Sequence, residues 1–94
     1  EIKSVEKALD ILESFSAAEA EMGVSDLSRR LGINPTSVYK ILATLKKRGY
    51  VRQDVPKGKY RLGIKMFELG CVFQEQSPLF HTARPLLEAL GKSC

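Results

Sequence analysis

The sequence predicts a mainly α fold carrying one small two-stranded β-hairpin. Three observations predict it. Apolar residues recur every three or four positions through most of the first half of the chain. Asn34-Pro35 has the form of a helix start, and Gly32 and Gly49 follow apolar-periodic runs as helix stops. Two short segments containing Val51, Tyr60 and Leu62 flank the turn signal Val55-Pro56-Lys57-Gly58. With 94 residues there is room for one small domain and a modest core.

The first helix is expected from Ser4, as N-cap, to about Ser16, with Glu6 in the first turn where the helix dipole favours an anion. Val5, Ala8, Leu9, Leu12 and Phe15 make its apolar face. Residues 17–23 are small or acidic and read as a loop. A second helix is expected from Ser25, again as N-cap, with Val24, Leu27 and Leu31 inward and Arg29 and Arg30 outward. Gly32 ends it. Asn34 then caps a third helix with Pro35 at its first position, and Ile33 closes on Val38 as a hydrophobic staple. Val38, Ile41, Leu42 and Leu45 form its core face, and Lys46, Lys47 and Arg48 fill its last turn before Gly49.

Residues 50–54 and 59–62 read as the two strands of the hairpin, which must pack on the helices to be stable. A fourth helix is expected from Ile64 to about Gln74. Its apolar residues surround it, with Phe67 closing over Leu9, Leu12, Ile41 and Leu45, and with Val72 and Phe73 left wet. Ser77-Pro78 opens a fifth helix in which Leu79, Ala83, Leu86 and Leu90 follow seam spacing and Pro85 kinks or splits the run. The expected division is residues 1–76 as one domain and residues 77–94 as a linker helix.

Charge is strongly segregated. Residues 1–28 carry a balance of −5, residues 29–65 a balance of +10, and residues 66–94 a balance of −1. Lysines that only keep a protein in solution need no such segregation, whereas a surface facing a polyanion does. The two cysteines, Cys71 and Cys94, have no metal-ligand spacing, and His81 is the single histidine, so neither a zinc site nor a disulfide scaffold is expected. Cys71 reads as a small core hydrophobe. Gly91-Lys92-Ser93 resembles the end of a phosphate loop, but Leu86 stands where its first glycine is required. No cofactor, metal or catalytic group is expected, and no membrane-length apolar run is present. A reducing cytoplasm fits this cysteine usage.

Helix, tight glycine turn, helix and hairpin is the order of a winged helix-turn-helix. The third helix, about residues 35–48, is expected in the major groove, which at about 12 Å admits one α-helix. The hairpin tip, residues 55–59, is expected on the backbone or in the minor groove. Subtracting the core face leaves Thr36, Ser37, Tyr39, Lys40, Ala43, Thr44 and Lys47, of which Thr36, Ser37, Lys40 and Thr44 are the candidate base readers, because Lys can donate to guanine and Ser or Thr to bases or phosphates. Ser25, Arg29, Tyr39, Lys47, Lys57 and Lys59 are candidate backbone or wing contacts. Tyr39 can instead close over the core, Arg29 and Arg30 can be a solvated face, and Arg52 and Arg61 can pair with Asp54. A symmetric dimer is expected through Phe67, Val72, Phe73, Leu79 and Leu86.

Residues 2–70 resemble the N-terminal DNA-binding domain of the IclR family of bacterial transcriptional regulators. The resemblance rests on Ser4-Val5-Glu6-Lys7-Ala8-Leu9-Asp10-Ile11-Leu12, Leu27-Ser28-Arg29-Arg30-Leu31-Gly32 and Pro35-Thr36-Ser37-Val38-Tyr39-Lys40-Ile41-Leu42-Ala43-Thr44-Leu45. Arg48-Gly49-Tyr50-Val51 and Tyr60-Arg61-Leu62-Gly63 complete it, in this order. It implies a repressor or activator that is a homodimer on a palindromic double-stranded operator. It further implies a fragment lacking a C-terminal domain for a small-molecule effector. Lys40 departs from the family, where many relatives carry Arg, and lacks Arg's flat bidentate fork. The competing function is a dimerisation-only winged helix at the front of an enzyme such as a small-molecule methyltransferase. The basic outer face of the third helix separates the two, since dimerisation alone has no use for it.

Overall fold

A computed structural model describes residues 1–76. The expected fifth helix and linker, with Leu79, His81, Pro85 and Leu86, lie outside the described residues. The order is α1 (Lys3–Glu13), α2 (Val24–Leu31), α3 (Pro35–Lys47), β1 (Val51–Gln53), β2 (Tyr60–Leu62) and α4 (Ile64–Gln76). This is the mainly α fold with a two-stranded hairpin that the sequence predicts. The strands are antiparallel, with Val51 opposite Leu62, Arg52 opposite Arg61 and Gln53 opposite Tyr60.

Helix boundaries follow local chemistry. Asn34 caps α3 by accepting from the Thr36 N–H at 2.8 Å, and Pro35 occupies the first position. Gly32 ends α2 in the left-handed region at φ 68°, where other residues would be strained. Two expected caps are corrected. The N-cap of α1 is Ile2 rather than Ser4 and makes no side-chain capping bond. The N-cap of α2 is Gly23 rather than Ser25. Asp26, three residues on, accepts the Gly23 N–H at 3.0 Å, so the helix starts earlier, at Val24.

The core joins Ile11, Phe15, Met22, Leu27, Ile33, Val38, Leu42, Val51 and Tyr60, with Leu12, Val24, Leu31, Ile41 and Leu45 packed against it. The face expected for α1 is only partly used, since Val5 and Leu9 stay about half exposed and Ile11 supplies the buried anchor. Met22, read as loop, is buried and exchanges both backbone hydrogen bonds with Tyr60, at 3.0 and 2.9 Å. It thus adds a one-residue third rung to the hairpin.

Phe67 does not close over Leu9, Leu12, Ile41 and Leu45; it is 54% exposed. Ile64, Leu69, Val72 and Phe73 are likewise exposed, because an all-round apolar helix cannot turn every face to one small core. Cys71 is only partly buried rather than a core residue.

Candidate nucleic-acid interface

The 100° advance of an α-helix sorts the residues of α3. Val38 and Leu42 are fully buried and Ile41 and Leu45 partly so. The row at Thr36, Lys40, Ala43 and Lys47 falls on the opposite side, and all four are exposed. Ser37 and Thr44 lie on one flank of that row. Ser37 is half-buried, and the Thr44 hydroxyl donates to the Lys40 carbonyl at 3.2 Å, which leaves Thr44 less able to donate outward. Ala43, absent from the residues picked as readers by polarity, belongs to the central row. Its small side chain permits close approach, and its methyl suits contact with a thymine methyl.

The other flank faces the hairpin. Tyr39 is 58% exposed, so it does not close over the core. It lines a cleft with Ser25, Gln53, Lys57, Lys59 and Tyr60 between α2, α3 and the wing. Gln53, which sequence reasoning overlooked, ties this cleft together: Lys46 Nζ donates to its side-chain oxygen at 3.1 Å, and its amide donates to the Gly58 carbonyl at 2.8 Å. The wing tip turns tightly, with the Gly58 N–H donating to the Val55 carbonyl at 3.0 Å and Lys57 at φ 61°. Burial pushes the Tyr60 phenol above its usual range, and the nearby Tyr39 adds to this.

The cations divide into two sets. Arg30 pairs with Glu19 at 2.6 Å, Arg61 with Glu21 at 2.8 Å, Arg52 with Asp54 at 3.5 Å and Arg29 with Asp26 at 3.0 Å. Arg61 also reaches Asp54 at 3.4 Å. Lys65 pairs with Glu68 at 3.0 Å, and among the described residues Lys40, Lys46, Lys47, Arg48, Lys57 and Lys59 make no ion pair. The +10 block therefore presents its unpaired charge on the outer row of α3, at the C-terminal end of that helix and on the wing. Ser25, exposed at the second position of α2, does not face an empty anion site, because the Asp26 carboxylate already accepts from that helix end. The Gly23 N–H bond, then Lys59 and Arg29, hold the Asp26 carboxyl below its usual range despite some desolvation.

Three helices, a wing and an outward polar and cationic row on the third helix define a winged helix-turn-helix DNA-binding domain. The family model of the IclR helix-turn-helix domain matches residues 4–55, and the chain belongs to that family of bacterial transcriptional regulators. It is 41% identical over 69 residues to the HTH-type transcriptional regulator XynR of Escherichia coli (strain K12), covering 73% of this chain and 27% of that protein. It is 37% identical over 91 residues to the HTH-type transcriptional regulator KdgR of the same organism, covering 97% of this chain and 34% of that protein. Among solved structures, an IclR family transcriptional regulator from Brucella abortus superposes with a TM-score of 0.79 at 27% identity, over 96% of this chain and 34% of that one. The chain thus spans about a third or less of the length of these relatives. Among the described residues no helix is long and apolar enough to cross a membrane, and no cluster of metal-ligating side chains occurs.

Proposed function

We propose that this domain binds double-stranded DNA sequence-specifically, with α3 in the major groove and the wing on the backbone or in the minor groove. The observation that carries this is the exposed row Thr36, Lys40, Ala43 and Lys47, set opposite a fully buried Val38 and Leu42. Thr36 and Lys40 read base edges from the N-terminal half of the helix, with Ser37 and Thr44 at the flank. Lys47, Tyr39 and the wing lysines Lys57 and Lys59 hold phosphates. Arg29 is a weaker candidate than its charge suggests, because Asp26 engages it. The apolar surface of α4, with Phe67, Val72 and Phe73 exposed, supports a symmetric dimer in which a second copy covers it. Effector sensing is assigned to a separate domain, in keeping with relatives about three times as long.

Selection of bound sequences from random duplex DNA tests this reading. The expected result is an inverted repeat whose half-site centres lie about 34 Å, or a multiple of that, apart. No enriched sequence would overturn the reading, and a lone half-site would overturn the dimer.

The wing has its own signature. Charge on a turn without a rigid base-reading geometry acts on phosphate, so Lys57→Gln with Lys59→Gln weakens binding to all sequences alike. The slope of log affinity against log salt flattens by about one to two units. Titrations at several salt concentrations check it, and an unchanged slope would show that the wing points away from DNA.

A further inference from the structure

The wing joins two three-residue strands through residues 54–59. Gln53 and Tyr60 are the last pair of the ladder before that loop. Inside it, the Gly58 N–H donates to the Val55 carbonyl at 3.0 Å, which closes the turn on itself without tying it to either strand. The tie from strand to tip is made by Gln53. Its Nε2 donates to the Gly58 carbonyl at 2.8 Å, in a partly buried setting. Its Oε1 accepts from Nζ of Lys46, in the last turn of α3, at 3.1 Å. The two ends of the amide are not interchangeable. An ammonium only donates and a carbonyl only accepts, so the oxygen must face α3 and the nitrogen the tip. The residue before Gly58 shows that the tip is held. Lys57 sits at φ 61°, a left-handed conformation that a lysine keeps only where its surroundings restrain it.

We infer that Gln53 is a positioning residue for DNA binding: its side-chain amide holds the wing tip against the end of α3, so that Lys57 and Lys59 stand ready for phosphate while that helix occupies the groove. This rests on the DNA-binding reading of the domain. Gly58 lies between the two lysines, so fixing its carbonyl fixes the stretch of backbone that carries both. Were that stretch loose, its backbone would have to be ordered at the moment of binding, and the ordering would be subtracted from affinity. A tip tied down beforehand avoids this. Gln53 itself touches no phosphate in this account; it acts through the two lysines. Its effect therefore depends on their presence, which separates a brace from a residue that only stabilises the fold.

The test is a double-mutant cycle on random duplex DNA at one salt concentration. It compares the native protein, Gln53→Met, Lys57→Gln with Lys59→Gln, and all three changes together. Methionine matches glutamine in length and offers neither an amide N–H nor a carbonyl. Gln53→Met is expected to weaken binding about three- to ten-fold, the net worth of one hydrogen bond. In the background lacking both wing lysines it is expected to change affinity less than about two-fold, because nothing is left for the brace to position. Equal losses in both backgrounds would overturn the inference, since a general loss of stability acts on each alike. Without DNA, the heteronuclear nuclear Overhauser effects of the Lys57 and Gly58 backbone amides are expected to match that of Val51 in the native protein. In Gln53→Met they are expected to fall while Val51 stays unchanged. Values for Lys57 and Gly58 that the substitution does not move would also overturn it. Should Gln53→Met fold poorly, the native protein decides. The Gln53 side-chain amide must exchange its hydrogens more slowly than that of the exposed Gln76, and equal rates would overturn the brace. A native protein that shows the ordered tip and the slow exchange but binds no duplex would instead refute the DNA-binding reading itself.

Discussion

Leu42→Ala is expected to leave the domain only marginally folded at room temperature. Leu42 is fully buried on α3 and joins a core built from α1, α2, α3 and the hairpin. Truncating such a leucine costs about 2–5 kcal/mol, through lost burial and the cavity left behind. A core of this size supplies only about 3–5 kcal/mol of net stability. One substitution therefore consumes most of the margin. Urea unfolding followed by far-ultraviolet circular dichroism checks it. A midpoint within about 0.3 M of the native value would correspond to well under 1 kcal/mol and would contradict the assigned core.

Gly63→Ala is expected to have the second largest effect, for a different reason. Gly63 lies where the end of β2 crosses the start of β1, and its N–H donates to the Tyr50 carbonyl at 2.8 Å. A Cβ there would run into the Gly49 carbonyl oxygen, a backbone atom that no side-chain rotation can move aside. That oxygen also accepts the Lys65 N–H at 3.0 Å, so displacing it loosens the first turn of α4 as well. Overpacking of this kind costs about 1–3 kcal/mol, occasionally more. Gly70→Ala is the contrast: among the described residues nothing lies within 4 Å, and alanine gains up to about 1 kcal/mol of helix propensity. Thermal melts of the two variants should move in opposite directions, and a Gly63→Ala melt equal to native would refute the close crossing.

What could be read from the sequence was local. Asn34-Pro35, Gly32 and Gly49 each act within about one helical turn, and each stands where it was expected. The apolar spacing of α3 identified its core face, and therefore its outer face, before any coordinates. The serine caps failed because a cap is a competition between neighbours. Ser25 is a good capping type, but Asp26 is placed to satisfy Gly23, and that bond moves the helix start upstream.

Features that depend on distant partners were not legible. Nothing near Met22 says that it will pair with Tyr60, and nothing near Arg61 says that Glu21, 40 positions away, will hold its guanidinium. The same distance effect redistributes charge. A count along the chain gives +10, but Arg29, Arg30, Arg52 and Arg61 are drawn into internal pairs while, among the described residues, Lys40, Lys47, Arg48, Lys57 and Lys59 are not. Phe67 was misplaced because helical periodicity orients a side chain about its own axis without fixing what the axis packs against. Ala43 was overlooked because polarity was the filter, and a small apolar residue in the middle of a reading face passes beneath it.

The central claim is that the outer row of α3 reads bases, and Lys40 tests it most directly. Affinity is measured for the selected operator and for random duplex, at one salt concentration, with the native protein and Lys40→Ala. Lys40 is exposed and makes no ion pair among the described residues, so its removal should leave the fold intact. The expected result is a loss of about 1–3 kcal/mol on the operator, with a much smaller loss on random duplex. Equal losses on both DNAs would make Lys40 a phosphate contact and would contradict the claim that this face of α3 reads sequence.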